Sequence, residues 1–165
     1  MELRIGLGHD THRLSAGRPL VLGNVTIPHD LGAVGHSDAD VLLHAIVDAL
    51  LGAAGLGDIG EWFPNTDPRW SGADSSLFLS HALESIGRRD WSIVNLDCTI
   101  TAEKPKLTPW KPAIRKRLSE LLGIPEDCIN VKAKSGEGVG PVGRCEAIEA
   151  HAIVLLQRVS SSEWK

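Results

Sequence analysis

The stretch from Asp38 to Ala54 constrains the fold of this chain more than any other. Val41, Leu42, Leu43, Ala45, Ile46, Val47, Ala49, Leu50 and Leu51 wrap almost the whole circumference of the helix they imply. A helix apolar on nearly every side must be covered on nearly every side, so this one is expected in the interior. Its polar exceptions are Asp40, His44 and Asp48, four apart and therefore in one stripe. A stripe that only met water would more often carry Lys, Glu or Arg. Asp, His, Asp on a buried helix fits a ligand or acid–base role as well as it fits a wet face.

Gly35-His36-Ser37 opens this helix, Ser37 and Asp40 reading as a capping box and Gly55 as the residue just past its end. Asp38 and Asp40 suit the positive end of the helix dipole. Upstream, Glu2 to Gly8 reads as a strand with Leu3, Ile5 and Leu7 on one face, and a polar stretch, Asp10 to Pro19, follows. Leu20–Leu22 and Val25–Ile27 are short extended pieces around a Gly23-Asn24 turn. Downstream come a loop from Gly57 to Pro68 and a helix from Ser75 to Ile86, ended by Gly87. Trp91 to Ala102 alternates so regularly that it is the clearest strand. A helix with a basic face spans Trp110 to Leu122, Ile129, Val131 and Ala133 mark another strand, and Ser135 to Gly143 is a glycine-rich loop. The periodicity of Glu146 to Val159 fits a strand or a helix. Strands and helices interleave irregularly, which favours α+β or mixed α/β architecture.

The 165 residues suit one domain, 1–165, and 42% apolar with 23% charged residues is ordinary for a soluble globular chain. A net charge of −4 gives no general attraction to nucleic acid or to an anionic membrane. No apolar run is long enough to span a bilayer, and the N-terminus alternates from the start instead of showing a basic-then-apolar signal segment. Cys98, Cys128 and Cys145 have neither the number nor the spacing of a disulfide framework or a cysteine zinc site, so a cytoplasmic protein is expected. With no tyrosine and two phenylalanines, few rings are available to stack bases. Histidines, by contrast, crowd: five of the seven fall within the first 44 residues.

Among them is His12 in Asp10-Thr11-His12. If the chain stays extended past Gly8, positions 10 and 12 point the same way, and a carboxylate and an imidazole converge as a divalent metal accepts them. Adding His44 makes one Asp and two His, leaving a fourth position open as catalytic zinc requires. Without that partner, an Asp-x-His pair in a loop is more often a capping or solvated pair. His36 and Ser37, at a helix start, are placed for an anion, or for no more than a cap. Asp58-Ile59-Gly60 and Phe63 to Asp67 form a loop whose carboxylates could accept from a vicinal diol, or an ordinary turn. Ala102 to Leu107 follows a strand and could read a base through its backbone. Lys132 to Gly138 combines lysines, Ser135, glycines and Glu137, a set that suits phosphates and a bridging Mg²⁺, although the P-loop spacing is absent. Arg144 with Glu146 suits an anion or a plain ion pair.

Taken together, the run Gly35 to Ala54, its continuation through Gly57-Asp58-Ile59-Gly60 and Phe63 to Pro68, and Arg4-Ile5-Gly6 with Gly8-x-Asp10-x-His12 resemble the 2-C-methyl-D-erythritol 2,4-cyclodiphosphate synthases. Pro105-Lys106-Leu107, Asn130 to Ala133, Glu137 and Gly143-Arg144 extend the resemblance over nearly the whole chain, in order. The resemblance implies an α+β subunit, a mixed β-sheet with helices packed on one face, assembled as a homotrimer around a sheet-lined centre with active sites between subunits. It implies a CDP-linked methylerythritol 2-phosphate substrate whose 2-phosphate attacks the β-phosphorus, closing the ring and releasing CMP. Asp10, His12 and His44 would hold a zinc ion in each subunit, and Glu137 a Mg²⁺ or Mn²⁺ on the substrate diphosphate. His36 and Ser135 would stabilise the transition state. Asp58 would hold the methylerythritol hydroxyls, with Ser37, Ile59, Gly60, Phe63, Asn65 and Asp67 around them. Ala102, Pro105, Lys106 and Leu107 of a neighbouring subunit would take the cytosine, with Lys134, Gly136, Pro141 and Arg144 completing the substrate site.

Two positions depart from the family pattern. Lys134 stands in a loop that often carries consecutive threonines, although Ser135 keeps a hydroxyl there, and Pro141 replaces a common aromatic residue. Two rival readings have other chemistry: a zinc phosphohydrolase using metal-bound water with Asp48 as base, and a non-catalytic zinc- or nucleotide-binding module.

Overall fold

The computed structural model describes residues 2–159. Its main sheet has five strands in the order β4-β1-β7-β5-β6: β1 Leu3–Ala16, β4 Leu31–Val34, β5 Trp91–Thr101, β6 Ile129–Lys134 and β7 Ala147–Arg158. Only β5 and β6 run parallel; β1 pairs antiparallel with both β4 and β7, and β5 antiparallel with β7. The strands β2 Leu20–Leu22 and β3 Val25–Ile27 form the separate hairpin expected from Gly23-Asn24. The helices are α1 Val41–Ala54, α2 Ile59–Trp62, α3 Ser75–Gly87, α4 Lys111–Leu122 and α5 Gly140–Gly143. A mixed α+β subunit is what the sequence implied.

The helix read first is the centre of the molecule. All but His44, Asp48 and Gly52 of the 14 residues of α1 are buried, and the helix packs on β1, β7 and α3. It lies close to β1 because β1 turns glycines toward it. A Cβ at Gly6 would stand 1.8 Å from the Ala49 carbonyl oxygen, and one at Gly8 would stand 1.9 Å from that of Ala45. Period-two alternation then sends Leu3, Ile5 and Leu7 to the opposite face, which no helix among the described residues covers. Ile5 is 72% and Leu7 66% exposed, and Ile153 of β7 beside them is 48% exposed.

Several local expectations change. The polar stretch after Gly8 is not a loop: β1 continues to Ala16 because β7 pairs with it as far as Arg13, and β4, not foreseen as a strand, pairs with residues 13–16. Partners on both sides outweigh polar composition there. The long element near the C-terminus is a strand, β7, paired along its length with β1 and β5. The glycine-rich loop contains the short helix α5. Finally, α1 starts at Val41 and its N-cap is Asp40, not Ser37. The Asp40 carboxylate accepts from the amides of Leu42 and Leu43 at 3.1 and 3.0 Å and from those of Gly23 and Asn24 at 3.0 and 2.6 Å, tying the hairpin to the helix. Gly55 ends the helix in the left-handed conformation, φ 69°, as expected.

Candidate metal centre and active site

Asp10 and His12 leave β1 on the same side, the one facing α1, and His44 meets them from the helix. The contacts are tight. Asp10 Oδ2 lies 2.9 Å from both His12 Nε2 and His44 Nδ1, and those two nitrogens are 3.1 Å apart. Ligand atoms around a tetrahedral metal at 2.0–2.1 Å are separated by about 3.3 Å, so the three fit one ion with little adjustment.

The far side of each ring decides what the near side can do. The His12 Nδ1–H donates to the Val34 carbonyl at 2.8 Å, which leaves its Nε2 unprotonated toward Asp10. The Ser75 hydroxyl donates to Asp38, so its oxygen accepts from His44 Nε2–H at 2.9 Å, with Ser37 Oγ at 3.2 Å. That leaves His44 Nδ1 as a lone pair. Two imidazole lone pairs and a carboxylate facing one another need a cation between them. Burial disfavours a charge on Asp10, yet hydrogen bonding and positive charge from the His12 and His44 rings hold its carboxyl well below the ordinary range, so positive charge is favoured at this point. Burial likewise opposes charge on His12, and Asp10 reverses the balance and raises its pKa.

Of the polar stripe on α1, only His44 belongs to the site. Asp40 is fully buried as the N-cap, which also means the first amides of α1 are already engaged and not open to an anion. Asp48 accepts from the Ile59 amide at 2.8 Å and so anchors the loop after α1. Burial raises its pKa, with the Ile59 amide opposing.

A cleft of about 390 Å³ opens over these three residues. Among the residues singled out from sequence, it brings His36, Ser37, Ile59, Gly60, Phe63 and Asn65 to Asp10, His12 and His44. His36 Nε2 lies 3.2 Å from the Asp67 carbonyl, and Asp67 itself is held by Arg69, which keeps its carboxyl below the usual range. Asp58 lines no part of this cleft; it caps α2, accepting from the Glu61 amide at 2.9 Å.

The remaining residues gather elsewhere. Ala102, Pro105, Lys106, Leu107, Lys134 and Ser135 line a second concavity, beside the cis Lys104–Pro105 peptide. Ser135 Oγ donates to Glu137 Oε1 at 2.6 Å, and Glu103 accepts from the amides of Gly136 and Gly138 at 3.0 and 3.4 Å, holding the glycine-rich loop. Pro141 lines a third concavity, with Arg13 and Glu146, and Arg144 is paired to Glu146 at 3.0 Å. Register relates the first two groups. Thr11, Glu149, Thr101 and Lys134 lie in one row across β1, β7, β5 and β6. Three strand spacings of about 4.8 Å separate the ends of that row by roughly 14 Å. Both groups sit at the same end of the sheet, three strands apart.

The profile of the YgbB family matches residues 3–157. The chain belongs to the YgbB family. It is 53% identical over 159 residues to the 2-C-methyl-D-erythritol 2,4-cyclodiphosphate synthase of Dechloromonas aromatica, spanning 96% of this chain and 99% of that one. To the enzyme of the same name from Nostoc sp. it is 54% identical over 163 residues, spanning 99% and 98%. A solved CDP-bound form of a 2C-methyl-D-erythritol-2,4-cyclodiphosphate synthase superposes with a TM-score of 0.87 at 44% identity, covering 93% of this chain and 100% of that one.

Sequence reasoning missed the groups that orient the ligands. Ser75 is completely buried and the Val34 carbonyl lies on an unforeseen strand. Trp70 and Phe78, which stack about Phe63 at 5.1 and 4.5 Å and line the cleft, were equally invisible, since nothing in their spacing points to the metal ligands.

Proposed function

We infer that this chain is an enzyme converting 4-CDP-2-C-methyl-D-erythritol 2-phosphate into 2-C-methyl-D-erythritol 2,4-cyclodiphosphate and CMP, a lyase step of the non-mevalonate isoprenoid pathway. The observation that carries it is the Asp10–His12–His44 cluster, its two ring tautomers fixed, in a chain that matches named cyclodiphosphate synthases end to end. The donor set of one carboxylate and two imidazoles suits zinc. When bound, zinc supplies Lewis-acid polarisation of a phosphate oxygen. The nucleophile is the substrate's own 2-phosphate, so the chain has only to position reactants and neutralise charge. His36 and Ser37, in the same cleft, donate to phosphate oxygens. Ser135, in the second concavity, would do so once its hydroxyl turns from Glu137, which would then be free to hold Mg²⁺ or Mn²⁺ with the substrate diphosphate. Ile59, Gly60, Phe63 and Asn65 surround the methylerythritol in the cleft, and Asp58 and Asp67, which lie outside its lining here, would reach the hydroxyls only on leaving their contacts with the Glu61 amide and Arg69. Ala102, Pro105, Lys106 and Leu107 read the cytosine, and Lys134, Gly136, Pro141 and Arg144 complete the anionic contacts.

The two concavities act together when a neighbouring copy supplies one of them. The open sheet face, with Leu3, Ile5, Leu7 and Ile153 at 45, 72, 66 and 48% exposure, is the surface on which copies associate, and a homotrimer closes the set.

Incubating the zinc- and magnesium-loaded protein with the CDP-linked substrate tests the reaction. Equimolar CMP and cyclic diphosphate are expected; a linear product would support the phosphohydrolase instead. Mixing His12→Ala chains with chains whose 103–106 loop is rebuilt tests the assembly. Each is inactive alone, and co-refolded mixtures should regain part of the activity. Mixed trimers as inactive as their parents would mean each chain carries its own complete site.

A further inference from the structure

The described residues hold a second convergence of metal-ligating groups, on the opposite face of the sheet from Asp10. In the β1–β7 register His9 stands opposite His151 and Thr11 opposite Glu149. Side chains alternate along each strand, so His9, Glu149 and His151 all project from the open face. One ligand atom from each lies within 4.8 Å of the others. The two rings lie side by side, centroids 4.4 Å apart and planes tilted by 33°. Among the described residues, His9 meets only the Thr11 hydroxyl, at 3.3 Å, and neither Glu149 nor His151 has a side-chain hydrogen bond. Leu7 and Ile153, the next pair along the same face, set an apolar floor beside them.

We propose that His9, Glu149 and His151 form a second divalent-cation site, for a borderline metal such as Zn²⁺, Co²⁺ or Ni²⁺. Two imidazoles and a carboxylate are a donor set these ions accept. The paired strands fix the backbone of all three residues. The outer ligand atoms, already within 4.8 Å of one another, have only to reach the ~3.3 Å edge of a tetrahedron, a matter of side-chain rotation. No carbonyl or buried hydroxyl orients these rings as Val34 and Ser75 orient His12 and His44. Such partners are worth 10–100-fold in metal affinity, so the outer site should bind about that much more weakly than the inner one. The assignment is independent of the cyclisation reaction.

The test is titration of metal-stripped full-length protein with Zn²⁺, and separately with Co²⁺, by calorimetry and equilibrium dialysis. Wild type, His151→Gln and Glu149→Gln are compared. Wild type should show a tight class of site and a second class about 10–100-fold weaker. Both variants should lose the weak class and keep the tight one. A single class in wild type overturns the proposal. So does a weak class that persists unchanged in His151→Gln. The tight class read in the same titration separates the two sites: a weak class lost with the tight class intact belongs to the outer cluster, whatever reaction the inner one performs.

Discussion

The two faces of β1 carry nearly the same chemistry at the same level of the strand, yet the candidate ligands of one face are held from behind and those of the other are not. On the side toward α1, Asp10, His12 and His44 bring their ligand atoms within 3.1 Å of one another, and each ring is fixed from behind. On the open side, among the described residues, His9 meets a threonine hydroxyl at 3.3 Å, and no hydrogen bond holds the Glu149 or His151 side chain. Convergence follows from the register of two strands. Pre-organisation needs a second layer, and the first face has one because Gly6 and Gly8 let a helix lie against the strand. The difference between a tight and a weak set of ligands is thus set by what packs behind them.

Removing a ligand from each face should separate the two most sharply. His44→Ala is expected to lose the tight zinc and to lower turnover about a thousandfold. A metal acting as Lewis acid contributes several kcal/mol, and each 1.36 kcal/mol is tenfold in rate. His9→Ala should leave turnover within about twofold, since His9 points away from the cleft. Metal analysis beside steady-state kinetics decides; equal zinc in wild type and His44→Ala would break the assignment of the inner site.

Next in size is packing. Gly8→Ala pushes a methyl group into the Ala45 carbonyl, a clash with backbone that no rotamer relieves. A loss of about 3 kcal/mol or more in urea denaturation is expected, while Leu7→Ala, one residue away on the open face, should cost under about 1 kcal/mol in the isolated chain. Comparable losses would mean the helix does not rest on the strand as closely as the structure has it.

Ser75→Ala tests the second layer itself. The substitution removes the oxygen that accepts from His44 Nε2–H without touching a ligand. Zinc affinity, measured by competition with a chelator, should fall 10–100-fold, the cost of such partners elsewhere. Fold and ligand set stay intact, so the inner cluster would then behave like the outer one. An unchanged affinity would show that convergence alone is sufficient, and the contrast between the faces would collapse.

Much of this is legible in the sequence, and the parts that are not have a common cause. Asp10 and His12 share a face by the two-residue period of a strand, and the apolar wrap of 41–51 puts His44 on a buried helix. Both follow from local periodicity. The period does not say which member of the Asp40, His44, Asp48 stripe faces the strand. Asp40 leaves the stripe altogether because the hairpin amides of Gly23 and Asn24 claim it, a contact across sixteen and seventeen positions. Ser75 reaches His44 across thirty-one positions, and Val34 reaches His12 across twenty-two. The alternation of Leu3, Ile5 and Leu7 is equally plain, but which face is covered depends on the small residues between them, Gly6 and Gly8, whose use appears only when α1 is in place. Spacing gives direction within an element; it carries no information about partners brought in by another.

The smallest effect concerns the anchor of the inner face, for which the open face has no counterpart. Burial pushes the Asp40 carboxyl from the ordinary 3.8 up to about 6; the amides of Asn24, Leu43 and Gly23 pull against it, and the charge of Asp38 adds to the rise. A carboxyl whose pKa is raised on folding is easier to bury protonated than charged. The cost of burying its charge is therefore fully present above pH 6, relieved as the pH falls through 6, and gone below about 4, where the unfolded chain is protonated too. The gap corresponds to roughly 2–3 kcal/mol at most. Asp40→Asn carries no such charge, and its loss of acceptor capacity is a pH-independent offset. Wild-type stability relative to Asp40→Asn should therefore rise between pH 7 and pH 4.5, read by urea denaturation of both proteins stripped of metal so that the inner ligands contribute equally. A difference that stays flat with pH would mean the four amides hold Asp40 ionised throughout. In that case the anchor of α1, and with it the placement of His44, would rest on a charge at every working pH, and the inner face would differ from the outer one by electrostatics as well as by packing.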